Sequence, residues 1–382
     1  MITTRLSAIF TGFTALAFLT IGCGSDDDPI PFEETFHLVP QFYEADENGD
    51  PSFNEPEFTV IADSEDSVNR PNDLAFHPHE DRAGELWLIN ENSTATGGST
   101  VTIFDAGTED QETLWLRDGN AWHFLAMPTA MAFADNGKWA SGTGLQDNNQ
   151  NNGTWAGPTL WSSDFEIYAA VGDPPTGEVN GSHLDMLHGS PYSMGIAYEE
   201  NNAYWVFDGY NEHIVLYDFV APHPPGGYDH SNGEIFRHTD VEVERHTSYP
   251  SHMIVDRATG WLYINDTGNE RVLRMDTSTG EKAAELPDTG DYIEVHWDMQ
   301  GTTFEVFADH RLSTPTGIAL HDGTLFVSDT DREEIIAYDV DSGQELDRID
   351  VGSGIRGITI GPDEKLWLAN YDTSEILRLD PQ

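Results

Sequence analysis

The sequence predicts an all-β protein, a six-bladed β-propeller of four-stranded antiparallel blades whose ring is closed by an N-terminal strand. Two observations carry this. A pattern recurs six times: an opening residue that is proline in five copies, a short apolar run, a turn, and a second apolar run that ends in Asp or Asn in five of the six. It opens at Pro71, Pro128, Pro191, Pro250 and Pro315, with a sixth copy at Ile355. Counting six onward from the turn residue lands on Asn90, Thr143, Asp208, Asp266, Asp329 and Asn370, so the copies are in register. Short strands repeated at fixed spacing bury their faces against neighbouring copies, and arranged about an axis they leave only short edges.

The chain divides into residues 1–22, 23–56 and 57–382. Leu6–Ile21 is an apolar run following Arg5, too short to span a membrane as a helix, and it reads as a signal peptide. Cys23, the only cysteine, follows it directly and precedes an acidic stretch. Residues 23–56 read as an acidic tether and linker. Within it, Asp46–Glu57 spaces oxygen-bearing side chains like a calcium loop, although Pro51 stands where the turn needs glycine.

Within the propeller, the fifth copy spells out four strands: Thr316–Leu320, Thr324–Ser328, Glu334–Asp339 and Gln344–Val351. Its first strand is almost wholly apolar, as expected of a strand buried on both faces near the axis. The last copy offers three strands, Gly357–Ile360, Lys365–Ala369 and Glu375–Asp380. Glu57–Ala62 belongs to no copy, so it is expected to supply the missing outer strand of the last blade.

The 68 acidic residues outnumber the 17 basic ones, giving a net charge of −51. Such a surface repels nucleic acid and anionic membranes, which excludes both as partners except through a lipid anchor. No zinc-protease, haem-attachment or phosphate-loop motif is present. The regular strands are accounted for by folding, so function is sought in departures from the repeat. Four stand out: Gly144–Pro158 with Trp155, Gly172–Gly189 with His183-Leu-Asp185-Met-Leu-His188, Pro222–Gly233, and Pro287–Phe307 with Tyr292, His296 and Trp297.

Histidines gather near the starts of the innermost strands: His123, His188, His246, His252 and His310 lie within a few residues of the openings. Imidazoles converging from separate blades at the channel mouth would hold zinc or another transition metal, with His123, His188, His252 and His310 as ligands.

The repeats resemble the NHL family of propellers over residues 57 to 382, a resemblance that implies the fold. Pro250-Ser251-His252-Met253 is similar to the blade openings of the peptide-amidating lyases, with histidine one position later. The corresponding slots of the other blades hold Asn72, Thr129, Tyr192, Thr316 and Arg356. A lyase-like reaction would then place Tyr192 (or Tyr249) as base and Arg356 as carboxylate holder beside a metal. Arg70-Pro71-Asn72-Asp73 is similar to a substrate-contacting stretch of the gluconolactonase-like propellers, which use calcium; this implies a ligand contact at Asn72 and Asp73. Leu19-Thr20-Ile21-Gly22-Cys23 resembles a bacterial lipobox with Thr20 where Leu is usual, which implies lipidation at Cys23. Gly24 after that cysteine points by analogy to the outer membrane or cell surface of a bacterium.

The leading expectation is a monomeric, lipid-anchored, extracytoplasmic propeller that binds a small molecule, peptide, glycan or protein at its loop-bearing face, with Trp155 among the contacts. The alternative is a metal-dependent lyase or hydrolase with its site at the channel mouth.

Overall fold

In a computed structural model, described over residues 39–45, 54–170, 180–290 and 292–382, the chain forms six sheets around one axis, antiparallel but for one strand pair in the third. Each recurring turn is followed by a second strand that ends on the Asp, Asn or Thr picked out by the repeat: Leu86–Asn90, Trp139–Thr143, Ala203–Asp208, Trp261–Asp266, Thr324–Asp329 and Leu366–Asn370. These six side chains are buried and tie the strand to neighbouring backbone. Asn90 accepts from the Asn69 amide (2.9 Å), Asp266 from the Glu244 amide (2.6 Å), and Asp329 from the Ser313 amide (2.6 Å). A short polar side chain there satisfies backbone groups that the end of the strand leaves open.

The second strands are apolar on both faces because each blade is sandwiched between two others. Leu86 and Leu88 of the first blade pack with Trp367 and Ile376 of the sixth, while the alternate residues Trp87 and Ile89 pack with Trp139 and Trp161 of the second. Side chains of a strand alternate faces, so a strand buried on both is mostly apolar, and its few polar side chains, such as Ser141 and Ser328, are hydrogen-bonded inside the core. The buried apolar side chains fall into six clusters, one at each blade-to-blade interface. Fully burying one large apolar side chain contributes about 1.5–3 kcal/mol.

The ring closes as expected. Glu57–Ala62 pairs antiparallel with Glu375–Asp380 as the outer strand of the sixth blade, and Thr59 Oγ1 donates to Asp380 Oδ2 at 2.6 Å. Val39 and Phe42, inside the stretch read as a linker, are fully buried against Phe326 between blades five and six. The apolar sequence Val-Pro-Gln-Phe-Tyr interrupts the acidic run and finds a hydrophobic seam. Cys23, the stretch read as a signal peptide and most of the Asp46–Glu57 loop lie outside the described residues.

The third blade departs from four strands. Glu281–Glu285 and Val295–Gln300 leave the fourth blade and join the outer edge of the third, the latter running parallel to Glu234–Glu242. The fourth blade is completed instead by Phe304–Ala308. The excursion is held by Arg237, whose guanidinium pairs with Asp208 (2.8 Å) and donates to His296 Nε2 (2.9 Å).

Candidate functional site

The start of each inner strand faces the channel. In five blades the register slips there, a bulge that re-aims one side chain. Ser193 pairs with Asp208 as Pro71 pairs with Asn90, so the slot of Asn72 is filled in the third blade by Met194 and not by Tyr192. Tyr192 sits ahead of the strand at φ 52°, with the Arg245 guanidinium 4.0 Å from its ring centre.

The channel residues chiefly join blades. Asp73 accepts from the amides of Leu74 (2.9 Å) and Met131 (2.8 Å), the second across the blade boundary. Burial pushes its carboxyl up, against the pull of His252 and those two amides. His252 Nε2 donates to the Thr129 carbonyl (2.9 Å), and its Nδ1 lies 3.7 Å from Asp73 Oδ1. Asn72 Nδ2 donates to the Pro128 carbonyl (2.8 Å), and Asn72 Oδ1 accepts from Arg356 Nη1 (2.8 Å). The Arg356 guanidinium lies over the Tyr371 ring, 3.3 Å from its centre. The cavity beside Asp73 and His252 is about 240 Å³, with Leu74, Met131, Ile318 and Ile358 in its wall.

His123 and His188 meet elsewhere, on the flank of the second blade. Asp185–Met186 is that blade's outer strand, and the 222–233 excursion of the third blade folds over it, its Gly226 amide donating to the His183 carbonyl (2.9 Å). Four histidines, His123, His183, His188 and His230, line a cavity of about 350 Å³ there. His223 packs behind it, its ring centre 4.9 Å from that of His183 and 5.4 Å from that of His230. His252 belongs to the channel, and His310 is exposed beside Glu345 of the fifth blade. The four histidines named as ligands therefore fall into three places.

The insertions converge on this flank. Trp155, from Gly144–Pro158, packs on His188 with ring centres 4.0 Å apart. The tip of the blade-four excursion presses on Trp155: a Cβ on Gly290, at φ +110°, would lie 2.2 Å from that ring, so glycine is required for the approach. The Asn-rich loop is folded about Asp147, which accepts from the amides of Asn149, Asn151 and Gly153.

Asp185, His223 and His230 each offer a donor atom within 4.8 Å of the other two. His230 Nδ1 lies 2.7 Å from Asp185 Oδ1, while Asp185 Oδ2 is buried without a hydrogen-bond partner among the described residues. His223 Nδ1 faces the Pro224 carbonyl at 2.8 Å. A carbonyl only accepts, so Nδ1 carries the proton and Nε2 keeps its lone pair. That Nε2 is likewise buried and unpartnered among the described residues. The same holds for His183, whose Nδ1 faces the Asn180 carbonyl at 3.1 Å. Burial lowers the pKa of His223 and His183, and burial with His188 pushes His123 down to about 4, so these imidazoles are neutral at pH 7. Neutral imidazole is the form that binds metal.

Two imidazoles with one carboxylate suit zinc and its neighbours, whereas calcium takes six to eight oxygens. The sequence had marked His183, Asp185 and His188 as a motif and 222–233 as an insertion, but His223 and His230 lie far from any blade opening. Their signal was the pair of histidines inside one insertion.

No protein-family model matches the chain, and no curated protein matches it in sequence. Solved structures are similar in fold. A luciferin-regenerating enzyme is 11% identical with a TM-score of 0.51, over 85% of this chain and 95% of that one. A calcium-binding protein, regucalcin, from Agrobacterium tumefaciens is 13% identical with a TM-score of 0.49, over 86% and 96%. Virginiamycin B lyase from Staphylococcus aureus is 12% identical with a TM-score of 0.48, over 86% of this chain and all of that one. At such identities the likeness is one of six-bladed propeller fold alone.

Proposed function

We propose that this chain is a ligand-binding propeller that holds a divalent transition metal, zinc first, at Asp185, His223 and His230, and takes its ligand in the adjoining 350 Å³ cavity on the flank of blades two and three. The observation that carries this is the set of buried, unpartnered donor atoms: Asp185 Oδ2 and His223 Nε2. Leaving polar groups buried without partners costs about 1–3 kcal/mol each, and a bound cation would remove that cost.

The test is metal stoichiometry by elemental mass spectrometry after zinc loading and desalting. One zinc per chain is expected, falling below about a tenth of that in His223→Ala and His230→Ala, with His252→Ala and His310→Ala unchanged. Loss in His252→Ala with retention in His223→Ala would return the metal to the channel.

One feature favours an enzymatic reading, a metal-dependent hydrolase or lyase. Three protein ligands leave a coordination position open, the arrangement in which zinc activates water. The pattern around Cys23 supports a lipid-anchored, extracytoplasmic location. Detergent phase partition tests it: the full chain expressed in a bacterium is expected in the detergent phase and Cys23→Ser in the aqueous phase.

A further inference from the structure

The flank cavity has a composition that selects its ligand. Among the described residues no Lys, Arg, Asp or Glu lines it. In a chain with 68 acidic residues, an uncharged lining is itself informative. An anion would meet no guanidinium or ammonium in the wall and would enter against the field of the whole molecule; its one attraction would be the proposed metal, and the charged controls below, run with and without zinc, test that contact. An organic cation would find no carboxylate in the wall to pair with. A purely apolar ligand would strip water from amides and imidazoles and give nothing back.

Beside its four imidazoles and the buried Phe124, the wall offers three amides and three partly or fully exposed aromatic rings: Asn120, Asn149 and Asn180 with Trp122, Trp155 and Tyr228. Each amide presents a donor pair and an acceptor on one plane. Asn120 spends its Nδ2 on Asn180 Oδ1 (3.0 Å) and keeps its own Oδ1 open; the Asn149 side chain makes no hydrogen bond among the described residues. Trp122 is 39% exposed and Tyr228 62%, whereas Trp87, Trp139, Trp161, Trp205 and Trp367 are all fully buried. Exposed aromatic rings at the rim of a polar, uncharged cavity are suited to a ligand with apolar C–H faces and many hydroxyls.

We infer that the cavity binds a neutral saccharide, with Trp122 and Tyr228 stacking on the sugar faces and Asn120 and Asn149 bonding vicinal hydroxyls. This rests on the proposed location of the ligand site, and the metal adds one open coordination position for a hydroxyl oxygen. The size, about 350 Å³, lies at the lower end of small-molecule pockets and suits one or two sugar rings.

The test is isothermal titration calorimetry of the zinc-loaded and the chelator-treated protein with maltose, cellobiose, xylobiose and lactose, beside digalacturonate and chitosan dimer as charged controls. Saturable binding of at least one neutral disaccharide is expected, tighter than either charged control. Trp122→Ala and Asn149→Ala, both at the cavity wall and outside the core, are each expected to weaken it tenfold or more. No saturable binding of any neutral disaccharide, preference for a charged one, or equal affinity in both variants would overturn the inference. The two readings separate in the same experiment. Saccharide binding without zinc uptake sinks the metal and keeps the saccharide; zinc uptake without saccharide binding does the reverse.

Discussion

Arg237 is nine-tenths buried or more and spreads its donors over Asp208, His296, Tyr217 and the Gly189 carbonyl, so one side chain joins blade three, the blade-four excursion and the loop that follows His188. The arrangement dictates the state of His296. Its Nε2 accepts from Arg237 and its Nδ1 donates to the Pro287 carbonyl (2.7 Å), so the ring is neutral, and burial together with Arg237 pushes its pKa down to about 4. Asp288 pulls the other way; His213, on the far side of Arg237, is also lowered by burial. In the unfolded chain a histidine titrates near 6.5. Between about pH 6.5 and 4 the unfolded chain therefore takes up a proton that the folded chain refuses, and the contribution of this group to stability falls as the pH falls. In His296→Gln an amide supplies the same acceptor and donor without titrating. Urea midpoints measured from pH 7 to 4.5 are expected to fall less steeply in that variant than in the parent; equal slopes would assign the pH dependence elsewhere.

At the scale of the element, Glu57–Ala62 is the strand with the largest lever. It covers the edge of Glu375–Asp380, and Ala62 completes the cluster between blades six and one. A chain lacking residues 1–62 also loses the Val39 and Phe42 plug. It is expected to melt roughly 10 °C lower by calorimetry and to scatter light as it associates through the bared edge. An unchanged melt would mean that the ring is held by blade packing alone. The elements were largely legible because a strand pressed between two sheets is apolar on both faces up to the polar residue that ends it, and runs such as Leu86–Asn90 and Leu366–Asn370 recur in register six times. The exchange of Val295–Gln300 into the third blade was not legible. That segment reads Val-His-Trp-Asp-Met-Gln, a strict alternation that marks a strand but does not say which sheet it joins, and its partners Arg237 and Phe236 lie about 60 residues away. The site was half legible for a similar reason. Local repeats gave the insertions as insertions, but the meeting of Asp185 with His223 and His230 depends on how one excursion folds over the flank of the next blade.

For the molecule as a whole, a charge of −51 sets the response to its medium. Mobile ions screen self-repulsion among surface carboxylates, while the six buried clusters are indifferent to moderate salt. Raising KCl from 0.05 to 1 M is expected to lift the melting temperature by about 5 °C or more, with most of the gain in the first few tenths molar; a flat curve would show that the carboxylates are already neutralised by their own ion pairs. The ring closure has a further consequence for how such a chain comes into being. Thr59 and its partner Asp380 are 321 residues apart. A polypeptide that emerges N-terminus first carries its closing strand unpaired through almost the whole of its synthesis or export, and the last six-residue strand to appear is the one it needs. A chain stalled anywhere before residue 375 is an open ribbon of blades with a hungry edge at each end, and completion is sensed only when the final strand arrives.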